Sequence, residues 1–541
     1  MKDSTEYAIV SRRLFTAEDT IVAPGAVLVR DGRIVEVARG VDADAIGTSP
    51  IIDVKDRMLL PGFVDPHAHS EVLAKTERLT VDCRAPKCRT IPDVVDTLRR
   101  GRDKTRDGWL VGQANLFFDQ KLAEGRLPTR EELDQVGPDV AIALRCGGHL
   151  TVLNSRALEL ADITSATGSG HGSITGRPTV DLDERGVPTG VVREMDALLP
   201  LPRVEPEELG DAIRDTMRRR FIDLGVTTVG EIGESMAGVR AYDSLLAAGA
   251  PVPRMYFYLW VPGFASLDDA IEFSSTYRAQ APELLSLHGV KVFADGGYSA
   301  KSAAMTRHYR DHPDHFGEVA MDAAEIRRVL AATDAHGLQL AIHANGDRAQ
   351  LLACEAIAAQ RFGSHDYIRT RIEHAGNLVP DYDALTAAWR SADIIPVPQP
   401  VFLYNFGEFV PGYVGEYARR GQFPFRSLLA DGWPVSGSSD VWIGSEIRQT
   451  DPFLSIQSAV GRKSFHHLDI EPEQAVSVPQ ALRMHTLHGA MAMGIEDEVG
   501  SITPGKHADF VVLDHDPSDD AADRLTDVRV EEVYRGGIRL R

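Results

Sequence analysis

Short apolar segments that carry or end in a potential metal ligand recur along this chain of 541 residues. The candidate ligands are His67, His69, Lys291, His343, His374 and Asp440. In a closed parallel barrel, the strand ends meet at one rim, so single ligands from distant segments can surround the same ions. The pattern therefore predicts a barrel with a metal site at its rim.

The middle of the chain alternates between strand-like and helix-like patterns. Strands are predicted at residues 225–229, 254–259, 290–293, 338–343, 370–374 and 434–438, with helices at 323–337 and 350–361 among the segments between them. Repeated strand–helix units predict a parallel α/β sheet, and six or more units with ligands at strand ends favour a closed barrel. We expect the barrel to comprise residues 61–80 and 205–494.

The two ends of the chain are rich in β-type patterns. Asp31-Gly32 separates two apolar runs, as in a hairpin, and similar runs lie near 509–513 and 530–540. Residues 1–60 and 495–541 are therefore expected to pair into one small sheet domain. Residues 81–204 fit the strand–helix rhythm poorly, and we interpret them as an inserted β-rich subdomain after the first barrel strand that covers the active site.

Composition limits the partners of the chain. Its formal net charge of −21 argues against nucleic acid or an anionic membrane as the main partner. The sequence predicts no secretory signal and no membrane span, so a cytoplasmic location is expected. The cysteines, Cys83, Cys88, Cys146 and Cys354, are expected to be unpaired thiols rather than a zinc site.

The His67-x-His69 pair is the strongest local signal. Residues two apart in a strand point to the same face, so both imidazoles can reach one ion. Neutral imidazole suits zinc and similar ions. Asp440 follows Gly437-Ser438-Ser439 and could take a proton from a metal-bound water and pass it to a leaving amine. A turn or helix-cap role for Asp440 is the alternative.

Lys291 lies inside an apolar strand, where burial would lower its pKa and leave a nucleophilic amine. Such an amine can add carbon dioxide to give a carbamate that bridges two metals. The alternative is an ammonium group that reaches solvent or pairs with Asp295. If Lys291 is not the bridging ligand, Cys83 and Glu194 are the substitutes.

Together these motifs resemble the amidohydrolase superfamily, and within it the family 3 branch that includes N-substituted formamide deformylases. The similar segments are residues 61–69, 148–149 with 152–158, 290–296, 343–347, 373–374, 439–440 and 500–509. The resemblance implies a distorted TIM (β/α)8 barrel, a β-sandwich built from both termini and, as a family-level expectation, a homodimer. Residues 297–302 and 441–443 depart from the usual pattern, so the formamide preference does not transfer directly.

The resemblance also implies a site with two divalent metal ions, usually zinc. His67 and His69 would bind one ion with Asp440, His343 and His374 would bind the other, and carboxylated Lys291 would bridge them. A metal-bridging hydroxide would attack an amide carbonyl, His149 would help to hold the oxyanion, and Asp440 would protonate the departing nitrogen.

Substrate contacts are predicted from residues in rim segments. The principal candidates are His149, Asn115, Tyr298, Trp442 and Phe402, with Trp260 and Tyr404 as further aromatics and Arg145, Arg193 and Arg462 as partners for a carboxylate. The aromatic residues indicate an apolar part of a small-molecule amide.

Three functions compete. The first is hydrolysis of a carbon–nitrogen bond in a non-peptide amide, such as an N-substituted formamide or a cyclic amide. The second is a mononuclear deaminase of an amino-heterocycle, although such deaminases usually lack the lysine and carry a glutamate soon after the histidine that corresponds to His343. The third is a non-enzymatic metal-binding scaffold, which should have lost a ligand. The number of metals per chain separates the first two.

Overall fold

A computed structural model describes residues 6–40, 50–165, 167, 178–360 and 368–541. Its strands, in chain order, are β1 (Glu6–Phe15), β2 (Val22–Arg30), β3 (Arg33–Arg39), β4 (Ile51–Asp53), β5 (Met58–Pro61), β6 (Phe63–Ala68), β7 (Val81–Asp82), β8 (Trp109–Gln113), β9 (Ala141–Arg145), β10 (Leu150–Leu153), β11 (Thr179–Leu182), β12 (Pro188–Arg193), β13 (Val226–Gly233), β14 (Arg254–Trp260), β15 (Leu285–Phe293), β16 (Gln339–His343), β17 (Arg371–Glu373), β18 (Ile395–Val397), β19 (Phe510–Leu513), β20 (Val530–Arg535) and β21 (Ile538–Arg539).

The α-helices are α1 (Ser70–Leu79), α2 (Ile91–Arg100), α3 (Phe118–Lys121), α4 (Arg130–Asp134), α5 (Ser155–Leu160), α6 (Pro206–Arg220), α7 (Met236–Ala247), α8 (Leu267–Thr276), α9 (Ala323–Asp334), α10 (Asp347–Ala358), α11 (Tyr382–Ser391), α12 (Val401–Phe406), α13 (Val410–Tyr413), α14 (Phe425–Ala430), α15 (Pro452–Gly461), α16 (Val478–Met484) and α17 (Leu487–Met493). Local sequence sets several of their ends. Asp322 caps α9 in a reciprocal capping box with Glu325, and Gly337 follows that helix in the left-handed conformation, at φ 64°. Among the helices of the described residues, none combines the length and apolar character that crossing a bilayer requires.

The central sheet consists of seven parallel strands in the order β6-β13-β14-β15-β16-β17-β18. Every neighbouring pair in this order is parallel. Helices connect the later strands, as in a (β/α) barrel: α7 lies between β13 and β14, and α9 lies between β15 and β16. The sheet is nearly closed and fits a distorted TIM barrel, so this part of the predicted fold is confirmed.

The eighth position of the barrel differs from the prediction. The predicted strand at 434–438 is wrong, because those residues form no ladder. The segment that follows, residues 438–441, nevertheless lies between β6 and β18. The Asp440 N–H donates to His67 O at 2.8 Å, and the His69 N–H donates to Val441 O at 3.1 Å. On its other side, Ser438 Oγ donates to Pro398 O, just beyond β18, at 3.0 Å. The segment thus closes the ring with isolated hydrogen bonds.

Both ends of the chain contribute to one sheet. Its order is β21-β20-β19-β5-β1-β2-β3, and β4 pairs with β1. The pairing of β19 from the C-terminal part with β5 from the N-terminal part joins the two ends directly. A third sheet, the inserted sheet, has the order β11-β12-β10-β9-β8-β7. Its strands lie in the chain between the first and second barrel strands, β6 and β13. The domain limits and the β-sandwich arrangement stay predictions.

A glycine permits close contact between the first two barrel strands. A Cβ atom at Gly230 on β13 would lie 2.2 Å from Pro66 O and 2.7 Å from Pro66 C. Because these are backbone atoms next to His67, they cannot rotate away as a side chain could. The glycine therefore lets β6 approach β13 at the point where the first candidate ligand is held.

We expect Gly230→Ala to lower the stability of the protein by about 1–3 kcal/mol, because the added methyl group forces the β6 backbone aside. Thermal unfolding measures the change. Gly210→Ala is the matched control, since Gly210 lies in α6 with no atom within 4 Å of an added Cβ, and it should raise stability by up to about 1 kcal/mol. A Gly230→Ala protein that is as stable as the control would contradict this account.

Candidate metal centre

The barrel strands bring the six candidate ligands to one rim. His67 lies near the end of β6, Lys291 lies in β15 and His343 is the last residue of β16. His69 and His374 lie just beyond β6 and β17, and Asp440 lies in the segment without a ladder that contacts β6. His374 and Asp440 adopt the left-handed conformation, at φ 72° and 43°. Such backbone geometry is costly for residues other than glycine and is concentrated at functional sites.

His67, His69 and Asp440 form one compact group. Asp440 Oδ1 lies 3.3 Å from His67 Nε2 and 3.5 Å from His69 Nε2. One potential ligand atom from each residue lies within 4.8 Å of the others. The two histidines are almost fully buried, so these atoms face each other rather than solvent.

His343 and His374 form a second group beside the first. His343 Nδ1 and His374 Nε2 are 3.0 Å apart, and ligands of one zinc ion are separated by roughly 3 Å. Asp440 Oδ2 lies 4.0 Å from His374 Nε2. Lys291 Nζ lies 3.2 Å from His67 Nε2 and is fully buried. Asp440 thus faces both groups.

The remaining ring nitrogen of each histidine faces a further polar group. His67 Nδ1 is 2.7 Å from Glu373 Oε2, and His374 Nδ1 is 2.7 Å from Gln399 Oε1. His343 Nε2 is 3.2 Å from Gly296 O, whereas His69 Nδ1 lies 3.9 Å from Glu234 Oε1, which is beyond hydrogen-bond distance. Outer partners of this kind fix the ring orientation of metal-binding histidines.

Burial shifts the pKa values of all six candidate ligands. Desolvation lowers the pKa of His67, His69, His343 and His374, so their imidazoles remain neutral with lone pairs free for a ligand bond. Desolvation also lowers the pKa of Lys291 and raises that of Asp440. Four neutral imidazoles with a carboxylate are a donor set that zinc and similar divalent ions accept. The residues present therefore fit a divalent metal centre.

His149 projects from the inserted sheet toward this centre. Its Nδ1 lies 2.9 Å from Glu194 Oε2, and Ser302 Oγ donates to Glu194 Oε1 at 2.7 Å. Burial alone would lower the pKa of His149, but the Glu194 charge and hydrogen bond outweigh it and raise the pKa. His149 is therefore an oriented hydrogen-bond donor, and Glu194 is its partner rather than a substitute metal ligand.

The candidate ligands line a cavity of about 70 Å³. Four of the predicted substrate contacts also line it: His149, Tyr298, Trp442 and Phe402. Tyr298 Oη donates to Asn345 O at 2.5 Å, so its hydroxyl is already engaged. A larger cavity of about 1380 Å³ lies beside the first and, among the described residues, shares Ser299 with it but none of the six candidate ligands.

Several predicted contacts lie elsewhere. Asn115 is buried outside the cavity lining, where its side chain accepts from Ala85 N and donates to Glu446 Oε2. The three predicted arginines are also engaged: Arg145 pairs with Asp196, Arg193 pairs with Asp181, and Arg462 donates to backbone carbonyls. Trp260 lines a neighbouring cavity, and Tyr404 packs against Phe465. The four cysteines are free and buried.

Sequence reasoning missed the groups that hold the ligands. Gln449 Nε2 donates to Ser439 O at 3.0 Å and to Asp440 O at 3.1 Å, which secures the left-handed turn at Asp440. Arg371 and Glu373 could have been noticed, because they are charged residues two apart in an otherwise buried strand. Gln449 carried no comparable signal.

Comparison with known proteins agrees with this geometry. A family profile described as "Amidohydrolase family" matches residues 50–540. The N-substituted formamide deformylase of Arthrobacter pascens is 29% identical over 99% of this chain and 98% of its own length. The protein LONG AFTER FAR-RED 3 of Arabidopsis thaliana is 27% identical over 99% of this chain and 91% of its own length. The crystal structure of an uncharacterized metal-dependent hydrolase from Pyrococcus horikoshii superposes with a TM-score of 0.73 at 22% identity, over 96% of this chain and 99% of that one, which shows the shared fold.

We expect Glu373→Gln to weaken the binding of a divalent metal by about 10–100-fold, because the amide cannot replace the carboxylate that faces His67 Nδ1. Competition with a chelator measures the affinity. Glu408→Gln is the matched control and should leave it unchanged, since Glu408 pairs with His466 near the surface. Equal affinities in the two variants would show that Glu373 does not support His67.

Proposed function

The chain belongs to the amidohydrolase family, and from that premise we propose that it hydrolyses a carbon–nitrogen bond in a non-peptide amide. The observation that carries this proposal is the position of Asp440, whose two carboxylate oxygens face both histidine groups. A carboxylate in that position can move a proton between a water and a leaving nitrogen. An N-substituted formamide or a cyclic amide is the substrate class we propose.

The proposed centre holds two divalent ions, most simply zinc. His67, His69 and Asp440 would hold one, and His343 and His374 would hold the other. When bound, such ions supply Lewis acidity for a carbonyl group and acidify water near neutral pH. The protein's part is to fix the ligands in a small, largely apolar cavity whose walls include Phe117, Phe293 and Phe402.

Asp440 acts as the proton carrier in this proposal. Its backbone is fixed by the hydrogen bond from Asp440 N to His67 O and by Gln449, so the carboxylate has little freedom to leave the centre. It accepts a proton from the attacking water and delivers it to the nitrogen as the carbon–nitrogen bond breaks. Delivery to nitrogen avoids the expulsion of an unstable amide anion.

His149 acts on the carbonyl oxygen. The raised pKa of His149 favours its imidazolium form, in which Nδ1–H donates to Glu194 and Nε2–H, near Gly297, can donate toward the cavity. A donor held in advance stabilises the negative charge that develops on the oxygen without having to reorganise. Glu194 is therefore a positioning residue for His149.

Lys291 is proposed to carry a carbamate. Its full burial lowers its pKa and so raises the share of neutral amine, and its Nζ lies 3.2 Å from His67 Nε2, beside the candidate ligands. Reaction with carbon dioxide forms a nitrogen–carbon bond and releases one proton. The product is an anion with two oxygens that can lie between the two histidine groups.

The substrate class also draws on the relative from Arthrobacter pascens, whose name gives an N-substituted formamide as its substrate. The cavity of about 70 Å³ suits a small acyl group, and its aromatic lining suits an apolar neighbour. A small-molecule amide is accordingly the partner we propose.

We expect Asp440→Asn to lower kcat by about 10²–10⁴-fold while leaving much of the metal bound, because an amide can coordinate weakly but cannot carry the proton. Steady-state hydrolysis and elemental analysis of the same sample provide the two readouts. Asp383→Asn, at an exposed position on α11, serves as the control. Turnover that survives in Asp440→Asn would remove the proposed role.

Lys291→Ala should lower the number of metal ions per chain, and short carboxylic acids such as acetate should restore part of it by occupying the place of the carbamate. Elemental analysis with and without acetate tests this, with Lys87→Ala, at an exposed position, as the control. Full metal content in Lys291→Ala without added acid would exclude the bridging carbamate.

The whole proposal is tested by metal content and turnover together. Close to two ions per chain, with hydrolysis of N-formyl, N-acyl or cyclic amides, is the expected result. Close to one ion with release of ammonia from an amino-heterocycle would instead support the mononuclear deaminase.

A further inference from the structure

Besides the cavity of about 1380 Å³, the metal cavity has another neighbour, the second cavity, which lies directly behind one of its walls. It has a volume of about 530 Å³, compared with about 70 Å³ for the metal cavity. Gly148, Trp442 and Ile443 line both, so they form the wall between them. Among these three residues, only Trp442 has a large side chain.

The indole of Trp442 is placed against the metal ligands. It stacks on His69 with ring centroids 5.2 Å apart and planes at 20°. It meets the rings of His149 and Trp260 edge-on, at 5.8 Å and 6.2 Å. A Cβ at Gly148 would lie 2.5 Å from the indole, so the absence of a side chain there makes room for it. The backbone is held because Trp442 N donates to Ser445 Oγ at 2.7 Å.

The aliphatic part of the lining of the second cavity suits an apolar ligand part. Six aliphatic residues of its lining come from α1, from the inserted sheet and from the segment before α6: Val72, Leu79, Val111, Leu199, Leu201 and Val204. Polar residues, among them Lys75, Arg203 and Glu234, line the rest. Trp260 also lines it and adds an aromatic surface. The charged pair Arg145–Asp196 is already satisfied internally.

We propose that Trp442 is a specificity-determining residue: its indole closes a second substrate compartment, the 530 Å³ cavity, to apolar substituents of the amide. This inference rests on the proposed amide hydrolysis. With the indole in place, the reacting group must fit the small cavity. When the indole is removed, a longer aliphatic or aromatic substituent can pass beside His69 and occupy the aliphatic walls.

The test uses two series of substrates with the zinc-loaded full chain. In N-alkylformamides the alkyl group lengthens on nitrogen, and in N-methylalkanamides it lengthens on the acyl side. In Trp442→Ala, the ratio of kcat/KM for octyl over methyl should rise at least about tenfold above the wild-type ratio in one series, because each buried methylene is worth about fourfold. The series in which it rises identifies which side of the amide enters the compartment.

Three further proteins sharpen the result. Trp442→Phe keeps an aromatic ring near His69 but is smaller, so it should shift the ratio in the same direction by less, and it carries the test if Trp442→Ala does not fold. Leu201→Trp, added to Trp442→Ala, refills the compartment and should remove the gain for long substrates. Trp433→Phe, which lines neither cavity and packs against Trp389, should keep the wild-type ratio.

A readout without turnover separates this inference from the proposed function. Alkyl hydroxamates chelate metal centres, so calorimetry gives the ratio of Kd for acetohydroxamate over octanohydroxamate in each protein. A ratio that rises in Trp442→Ala supports the closed compartment even if no amide is hydrolysed, an outcome that would reject only the proposed function. Unchanged chain-length ratios in both substrate series and in hydroxamate binding, with normal metal content, would overturn the inference.

Discussion

The buried ion pair between Arg371 and Glu373 is the interaction on which the centre depends. Arg371 Nε donates to Glu373 Oε1 at 2.5 Å, and both side chains are fully buried inside the barrel. Arg371 also donates to Pro66 O on β6 at 2.6 Å and lies over the Tyr258 ring. β17 is therefore tied to β6, two strands that are not neighbours in the sheet, at the residue that precedes His67.

This pair also keeps Glu373 in its charged form. Burial alone would raise the pKa of Glu373, but Arg371 and His67 outweigh it, and the pKa falls well below the usual range. The anion faces His67 Nδ1, so Nε2 of the same ring is directed to Asp440 and Lys291. Removing one partner of such a pair would leave an uncompensated buried charge, which costs far more than the pair itself contributes. The same ion pair thus ties β17 to β6 and orients the His67 ring.

The sequence predicted the strands that are apolar and long enough to be recognised. β13 to β17 lie at or near the predicted ranges, and the six candidate ligands lie together, although metal binding itself stays a prediction. β18 was missed because it has three residues and contains Pro396, with Pro398 just beyond it. Residues 434–438 carry a strand-like pattern, but they contact their neighbours through single hydrogen bonds and side chains.

Some polar residues of the centre could be predicted from one short segment of sequence, whereas others depend on contacts between distant segments. The spacing of His67 and His69 is a property of one strand and could be predicted from it. The partnership of Gln399 with His374, or of Gln449 with Asp440, depends on where distant segments meet, which no single window of sequence contains. Asn115 was misplaced for the same reason: a polar residue near a rim segment can equally serve the contact between the inserted sheet and Glu446.

The candidate metal centre lowers the stability of the folded protein, and bound metal ions would offset that loss. His374 and Asp440 hold left-handed backbones, and His69 Nδ1 is buried without a hydrogen-bond partner. Each such feature costs on the order of 1–3 kcal/mol, and the surrounding network must enforce it. An ion that binds the folded centre and not the unfolded chain raises stability by RT ln(1 + c/Kd), where c is the free ion concentration. Bound metal ions would therefore stabilise the same rim at which they act. The ring of Trp442, which stacks on His69, packs against that rim.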